Sequence, residues 1–249
     1  MGNLFNQALY YPLWNALVLV YQYVSFHDLG IAIIVLTILI RVILAPLFYK
    51  GARDQAIIQR LSPKIKEIQR EHKHDKEKQA KAMMDLYKEH KVNPFSGFLL
   101  LLVQLPVLIA LYKVFLNGFK DGALDNLYSF VPHLQTFNHY FLGIVDLSSK
   151  SLVIVLLAAL AQYYQSKLTL PPSNPDSKDA SPAESMARNM LYMGPIFTII
   201  FLYVFNLPSA VALYWLTTSA FSVIQQIVIN KNISIAKEIK EEIKKEELK

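Results

Sequence analysis

The stretch that decides the fold lies near the N-terminus, where residues 31–48 read IAIIVLTILIRVILAPLF. Seventeen of these eighteen side chains are uncharged, and the remaining one, Arg41, is a cation. About 20 apolar residues in a row are enough to cross a bilayer as an α-helix. The stretch therefore predicts a membrane span, and it raises the question of why a charge lies inside that span.

The composition of the whole chain indicates an integral membrane protein. Its 249 residues are 53% hydrophobic and 18% charged, whereas soluble domains carry about 25% charged residues. The mean hydropathy is +0.29. Cysteine is absent, which excludes disulfides, thiolate metal sites and cysteine nucleophiles. The net charge is +6. Most of the basic residues lie outside the apolar segments, and this distribution indicates membrane topology rather than nucleic-acid binding.

Five apolar segments are predicted to cross the membrane, which makes the expected fold class an all-α membrane protein. Only Leu207 and Pro208 separate the last two segments, so these two helices are expected to form a tight hairpin. The five predicted spans are residues 29–48, 96–115, 151–165, 193–206 and 209–230.

The positions of the lysines and arginines predict the orientation. With five spans, the segments 49–95, 167–190 and 231–249 all lie on one side, and they hold 21 of the 25 basic residues. Cytoplasmic connections are enriched in Lys and Arg. We therefore expect the N-terminus outside and the C-terminus in the cytoplasm.

Three parts are expected along the chain: an N-terminal segment at 1–28, a core at 29–230 and a cytoplasmic tail at 231–249. The stretch 4–24 is apolar and aromatic, and it lacks the basic n-region of a signal peptide. Because Tyr and Trp favour the headgroup layer, it is predicted to be an interfacial helix on the outer face; an uncleaved sixth span is the alternative. The tail is expected to be a frayed, solvated end, and a helix in which Lys and Glu nearly balance is the alternative.

The basic segment 50–92 is predicted to be a cytoplasmic helical hairpin. Ser62 is the expected N-cap of its first amphipathic helix, with Pro63 at the first helical position. The second helix is expected to start at Asp75 and to stop before Asn93-Pro94.

The spans lack the residues that intramembrane catalysis needs. None of them contains Asp, Glu or His, so a serine nucleophile would find no histidine base there. His72 and His74 are two residues apart, whereas metal ligands on one helix face are expected four apart. The sequence therefore predicts no enzyme, no metal site and no cofactor.

Arg41 is the residue that most needs an explanation. A charge near the bilayer centre costs about 2.5–3.5 kcal/mol on insertion scales, and no span offers a carboxylate to pair with it. Arg41 lies seven residues before the end of its predicted span, about 10 Å deep at 1.5 Å per residue. Either its side chain snorkels to the interface, or it faces water inside the protein.

Polar and aromatic residues in the spans favour the second interpretation. Each polar residue alone would be explained as a contact that joins two helices. Together with an unpaired arginine they predict a hydrophilic groove. The residues expected to form it are Arg41, Thr37, Gln104, Gln162, Tyr214, Trp215 and Thr218.

Five blocks, in order along the chain, resemble the YidC/Oxa1/Alb3 family of membrane protein insertases. They cover most of residues 4–230, and the combination is specific although no single block is. The blocks are AIIVLTILIRVILAPLF at 32–48, LSPKIKEIQREHKHDKEKQAKAMMDLYKEHKVNP at 61–94, FLLLLVQLPVLIALYKVF at 98–115, FLGIVDLS at 141–148 and MARNMLYMGPIFTIIFLYVFNLPSAVALYWLTTSAFSVIQQ at 186–226.

The resemblance implies a five-span core with a groove that is open to the cytoplasm and to lipid but closed on the outside. It also implies the bacterial plasma (inner) membrane, in a short form without a large periplasmic domain or a lipoprotein signal. The chain departs from the family pattern at Ser209 and at Thr218-Ser219. The residues that match the family's groove positions are Arg41, Thr37, Gln104, Tyr214 and Trp215.

The function that the resemblance implies is membrane protein insertase and chaperone, acting alone or with the Sec translocon, without cofactors. Expected partners are nascent membrane proteins, the ribosome and membrane lipids. The Sec translocon and the signal-recognition-particle receptor are further candidates, and no specific nucleic acid is expected. The alternatives are a transporter or channel subunit, for which matching interrupted repeats would be expected, and a structural assembly factor.

Overall fold

The computed structural model describes residues 2–118, 127–132, 138–169 and 182–246, and this part of the chain is mostly helical. One short antiparallel ribbon pairs β1 (Tyr140–Phe141) with β2 (Val145–Asp146). A π-helical turn at Asn6–Tyr10 follows α1, and another at Ile200–Val204 follows α9. The helices are α1 (Gly2–Phe5), α2 (Tyr11–Tyr23), α3 (Leu29–Ile43), α4 (Ala45–Arg60), α5 (Ser62–Glu71), α6 (Lys76–Glu89), α7 (Ser96–Gly118), α8 (Leu152–Thr169), α9 (Pro182–Ile199) and α10 (Ser209–Glu246).

The described residues contain three to four candidate membrane spans. Three helices are long and apolar enough to cross a membrane: α7, α8 and the part of α10 at Ser209–Ser234. The helices α3 and α4 together count as a fourth, broken span, with a bend of 69° between them. The fourth predicted span, 193–206, corresponds to a shorter apolar helix at Leu191–Val204. A bundle of five full spans therefore stays a prediction.

The first predicted span is bent close to its arginine. α3 ends at Ile43 and α4 begins at Ala45. The cause is Pro46 in the first turn of α4, because proline has no N–H to donate and its ring crowds the carbonyl four residues earlier. Arg41 therefore lies in the last turn of α3, one turn before the bend, and not in the middle of a straight helix that reaches residue 48.

The helix α2 is part of the same hydrophobic core as the spans. Trp14, Leu17, Val18 and Tyr21 are each at most 3% exposed, and α2 packs against α3 and α7. The N-terminal segment was predicted to be an interfacial helix on the outer face, and that location stays a prediction. In the structure the apolar face of α2 packs against protein.

A segment that we call the cap, residues 127–132 and 138–149, closes one end of the bundle. Two of its backbone N–H groups donate hydrogen bonds to side chains outside the cap. The Tyr128 N–H donates to Asn15 Oδ1 at 2.7 Å, and the Leu142 N–H donates to Asp28 Oδ2 at 2.6 Å. At the far side of the cap, the Ser209 N–H donates to the Ser149 carbonyl at 2.8 Å. Loop backbone groups need such partners when they are buried. We call this end of the molecule the cap end.

The helices α5 and α6 lie at the opposite end, which we call the basic end. α6 is capped as predicted, since Asp75 Oδ1 accepts from the Lys78 N–H at 3.0 Å. This hydrogen bond, more than any other cause, lowers the pKa of the exposed Asp75 carboxyl. The N-cap of α5 is Leu61 and not Ser62, which is the first helical residue; the prediction was wrong by one position.

The tail continues as a helix. α10 runs without a break from Ser209 to Glu246. Residues 231–246 are therefore helical, which agrees with the alternative for the tail and not with the expected frayed end; residues 247–249 lie outside the described part.

Candidate functional site

A cavity of about 590 Å³ lies between two groups of helices. The helices α4 and α7 pack together on one side, and α8, α9 and α10 pack together on the other. α3 contributes Arg41. The polar and aromatic-polar residues that line the cavity are Arg41, Gln55, Gln104, Gln162, Gln165, Thr169, Tyr214, Trp215, Thr218, Ser219, Ser222, Gln225 and Gln226.

The cavity brings together six of the seven residues predicted to form a groove; the exception is Thr37. Thr37 is 2% exposed, and its hydroxyl donates to the carbonyl of Ile33 in its own helix at 2.6 Å. It does not line the cavity, and a role for Thr37 in substrate binding stays a prediction. The spacing of four residues correctly placed it on the same buried face of α3 as Arg41, but its hydroxyl is already satisfied within the helix.

Arg41 lies inside the protein and not along its outer surface. The residue is 7% exposed, and its guanidinium carbon is 4.5 Å from the centroid of the Phe48 ring. Cation–π contacts of this kind are stronger where water is excluded. Its position in the last turn of α3 also suits a cation, because the C-terminal end of a helix carries partial negative charge. Among the described residues, no carboxylate forms an ion pair with Arg41.

A hydrogen bond between two helices crosses the inner part of the cavity. The Gln104 side-chain amide of α7 donates to the hydroxyl of Tyr214 in α10, and Tyr214 is 3% exposed. Tyr214 and Arg41 line the same cavity. The arginine, the amide and the phenol therefore form one polar group at the inner end of a cavity whose other walls include Leu100, Leu108 and Phe201.

The wall formed by α8 and α10 carries neutral amides and hydroxyls toward the basic end. Gln162 Oε1 accepts from the Ser219 hydroxyl at 3.1 Å, and Gln226 Nε2 donates to Asn230 Oδ1 at 3.1 Å. The Nε2 atom of Gln225 is buried, and no partner for it is found among the described residues. Of the described residues that line the cavity, Arg41 alone is charged.

Sequence reasoning missed Asp54, a buried carboxylate next in sequence to the cavity-lining Gln55. Asp54 is 3% exposed, and its Oδ2 accepts from the Ser96 hydroxyl at 2.6 Å and from the Asn93 N–H at 3.3 Å. These bonds join α4 to the start of α7. The signal was present, since Asp54 is the one carboxylate between residues 29 and 66, but it lay in the segment assigned to the cytoplasmic hairpin.

Four cavity glutamines were missed as well: Gln55, Gln165, Gln225 and Gln226. Gln165 is the last residue of a predicted span. Gln225 and Gln226 were visible as the pair in VIQQIVIN, within a predicted span. Gln55 was hidden because its segment was assigned to the hairpin.

Comparison with known proteins identifies relatives of the chain. A family model described as "60Kd inner membrane protein" matches residues 19–238. Membrane protein insertase YidC of Geobacter metallireducens is 34% identical over 227 residues, which are 90% of this chain and 37% of that protein. YidC of Geotalea uraniireducens is 35% identical over 228 residues (91% and 38%), and YidC of Magnetococcus marinus 36% over 208 residues (83% and 33%). The chain thus spans a little over a third of the length of these relatives.

Proposed function

Since the chain belongs to the family of the 60Kd inner membrane protein, we propose that it is a membrane protein insertase that uses the cavity to move substrate segments across the membrane. The observation that carries the proposal is Arg41: a buried cation without an ion-pair partner among the described residues, in a cavity whose other polar groups are neutral. The relatives are named membrane protein insertase, which supports the same function.

The chemistry of the cavity suits a hydrophilic segment in transit. Moving a polar group from water into hydrocarbon without hydrogen bonds costs several kcal/mol. Arg41, Gln104 and the other amides would replace part of the segment's hydration and so lower that barrier. An acidic side chain in the segment gains most, because attraction between opposite charges strengthens as the dielectric constant falls.

The edges of the cavity suit the apolar part of the same substrate. Leu105 of α7 and Phe197 of α9 line the cavity and are also 42% and 57% exposed. An apolar substrate helix would pass between these two helices into the bilayer while its polar end remains in the cavity. No covalent bond changes in this process, so the cavity residues act by binding.

The same proposal includes an orientation and partners. The cap end faces the outside and the basic end the cytoplasm, with residues 193–206 as a fifth span and α5–α6 as a cytoplasmic helical hairpin that meets the substrate. The substrates are nascent membrane proteins that leave the ribosome. The Sec translocon and the signal-recognition-particle receptor are the further partners. The concentration of basic residues in 49–95 supports this orientation.

The test compares Arg41→Ala and Arg41→Lys in proteoliposomes, with a single-span substrate that carries a short acidic outer tail. A hydrogen bond to a charged group contributes about 1.5–3 kcal/mol, and 1.4 kcal/mol is a factor of ten. We therefore expect Arg41→Ala to lower the insertion rate at least about tenfold, and Arg41→Lys to retain part of the activity.

Lys150→Ala is the matched control, because Lys150 is a cation that lies over the Tyr203 ring, away from the cavity. It is expected to insert the substrate at the unaltered rate. Full activity of both Arg41 variants would contradict the proposal. Loss of folding is monitored separately by the midpoint of thermal unfolding in micelles.

A further inference from the structure

The charge of Arg41 has to be balanced when no substrate is in the cavity. The residue is 93% removed from solvent, and the described residues supply no carboxylate to it. Its guanidinium lies over the Phe48 ring, and it lines the cavity together with Gln104 and Tyr214. A buried charge without a counter-ion is costly, so an anion that reaches the guanidinium would lower the free energy of the resting state.

On its side between α7 and α9, the cavity suits a molecule that has both a polar and an apolar part. Between α7 and α9 the flanking surfaces carry large exposed apolar side chains, among them Leu102 and Leu105 on α7 and Ile196 and Phe197 on α9. Behind this edge, the wall at Leu108 and Phe201 is apolar. The cavity therefore offers a cation and amide donors at its inner end and hydrocarbon contacts along its open side.

We propose that the cavity binds an anionic phospholipid, with the phosphate at Arg41 and the acyl chains leaving between α7 and α9. The volume of about 590 Å³ lies within the range of small-molecule sites, about 300–1,000 Å³. Gln225 Nε2, which is buried without a partner among the described residues, is available to donate to headgroup oxygens. The lipid is a resident counter-ion that an arriving acidic segment displaces. Binding of the lipid does not depend on the proposed insertase activity.

The chain contains its own probe for this site. It has two tryptophans: Trp215 lines the cavity, and Trp14 is 1% exposed in the core near the cap end. In a Trp14→Phe background, Trp215 is the one tryptophan, and brominated acyl chains quench tryptophan fluorescence on contact. The protein is reconstituted in phosphatidylcholine liposomes that contain equal small fractions of either brominated phosphatidylglycerol or brominated phosphatidylcholine.

The expected result is stronger quenching by the anionic lipid. A basic residue near an anionic membrane contributes about 1 kcal/mol, which corresponds to an enrichment of about fivefold at the site. Arg41→Gln should abolish the headgroup preference, Arg41→Lys should keep part of it, and Lys150→Gln should leave it unchanged. Equal quenching by the two headgroups, or a preference that survives in Arg41→Gln, would overturn the proposal.

A second measurement needs no Trp14 substitution. Native mass spectrometry of the protein released from mixed liposomes should show more retained phosphatidylglycerol for the unaltered chain than for Arg41→Gln. Inorganic phosphate is the competing source of the same chemistry. If millimolar phosphate displaces the lipid as readily as an excess of phosphatidylglycerol does, the site takes a free anion and the lipid assignment is wrong; no displacement by phosphate supports the lipid.

Discussion

The cap end and the cavity use polar side chains in opposite ways. At the cap end, Asn15 is 2% exposed, accepts from the Tyr128 N–H at 2.7 Å and donates to the Tyr11 carbonyl at 2.8 Å. In the cavity, Arg41 has no ion-pair partner and Gln225 Nε2 no hydrogen-bond partner among the described residues. Both regions are partly removed from solvent, but Asn15 bonds to the protein's own groups, whereas these two cavity groups find no such partner in the described part of the chain.

This difference separates stability from ligand binding. A buried polar group that is left unsatisfied costs about 1–3 kcal/mol, whereas a satisfied one contributes about 1 kcal/mol. The protein therefore stabilises the cap end and keeps unsatisfied donors in the cavity, where a ligand can accept from them. Substitutions at the cap end should lower the free energy of unfolding, and substitutions in the cavity should change binding more than stability.

The largest expected effect comes from comparing the two tryptophans. Trp14→Ala removes a ring that is 1% exposed and should lower the free energy of unfolding by about 3–5 kcal/mol. Trp215 is half-buried and packs against Phe201, with ring centroids 5.7 Å apart. Trp215→Ala should cost only about 1 kcal/mol, as expected for one aromatic pair, and should impair insertion. Unfolding in mixed micelles measures both, and equal losses for the two variants would break the distinction between the regions.

An intermediate effect is expected at Asp54, which resembles the cap end in its pairing although it is next in sequence to the cavity-lining Gln55. Asp54→Ala leaves the Ser96 hydroxyl and the Asn93 N–H without their acceptor and should cost about 1–3 kcal/mol. Asp54→Asn keeps one acceptor oxygen and should cost clearly less.

The matched control for Asp54 is Asp85→Ala on α6. The Asp85 side chain is 60% exposed, and its Oδ1 lies 3.9 Å from Lys88 Nζ. Surface substitutions of this kind change the free energy of unfolding by no more than about 0.5 kcal/mol. A cost for Asp54→Ala as small as that for Asp85→Ala would show that the link between α4 and α7 contributes little to stability.

The smallest effect concerns the pH dependence of the cap. The Ser148 hydroxyl, which donates to Asp146 Oδ1 at 2.6 Å, and then the Ser148 N–H lower the pKa of Asp146. A carboxyl whose pKa is lower when folded stabilises the protein above its unfolded pKa of about 3.9, and this contribution disappears as the pH falls through the lower folded value. Asp146→Asn should therefore reduce the fall in the midpoint of thermal unfolding between pH 5 and pH 3. If that fall is the same in the variant, other carboxyls cause it.

Much of the helical architecture was predictable from local patterns. The apolar segments at 96–115 and 151–165 are helices, and Asp75 caps α6, because these features depend on residues that are close together in sequence. The role of α2 was harder to predict, since an apolar, aromatic helix is compatible with a headgroup layer and with a protein core. Which of the two surrounds Trp14 depends on α3 and α7, which are far from it in sequence.

The sequence by itself determined that this is a helical membrane protein whose first span contains a charge, Arg41, that no residue of the predicted spans can neutralise. The tertiary structure decided where that charge lies and what surrounds it. Pro46 bends the chain just after Arg41, Gln104 and Tyr214 meet across 110 positions in sequence, and Thr37 bonds to its own helix. The reason is physical: hydropathy and helix propensity depend on neighbouring residues, whereas a cavity depends on how distant helices fail to fill the space between them.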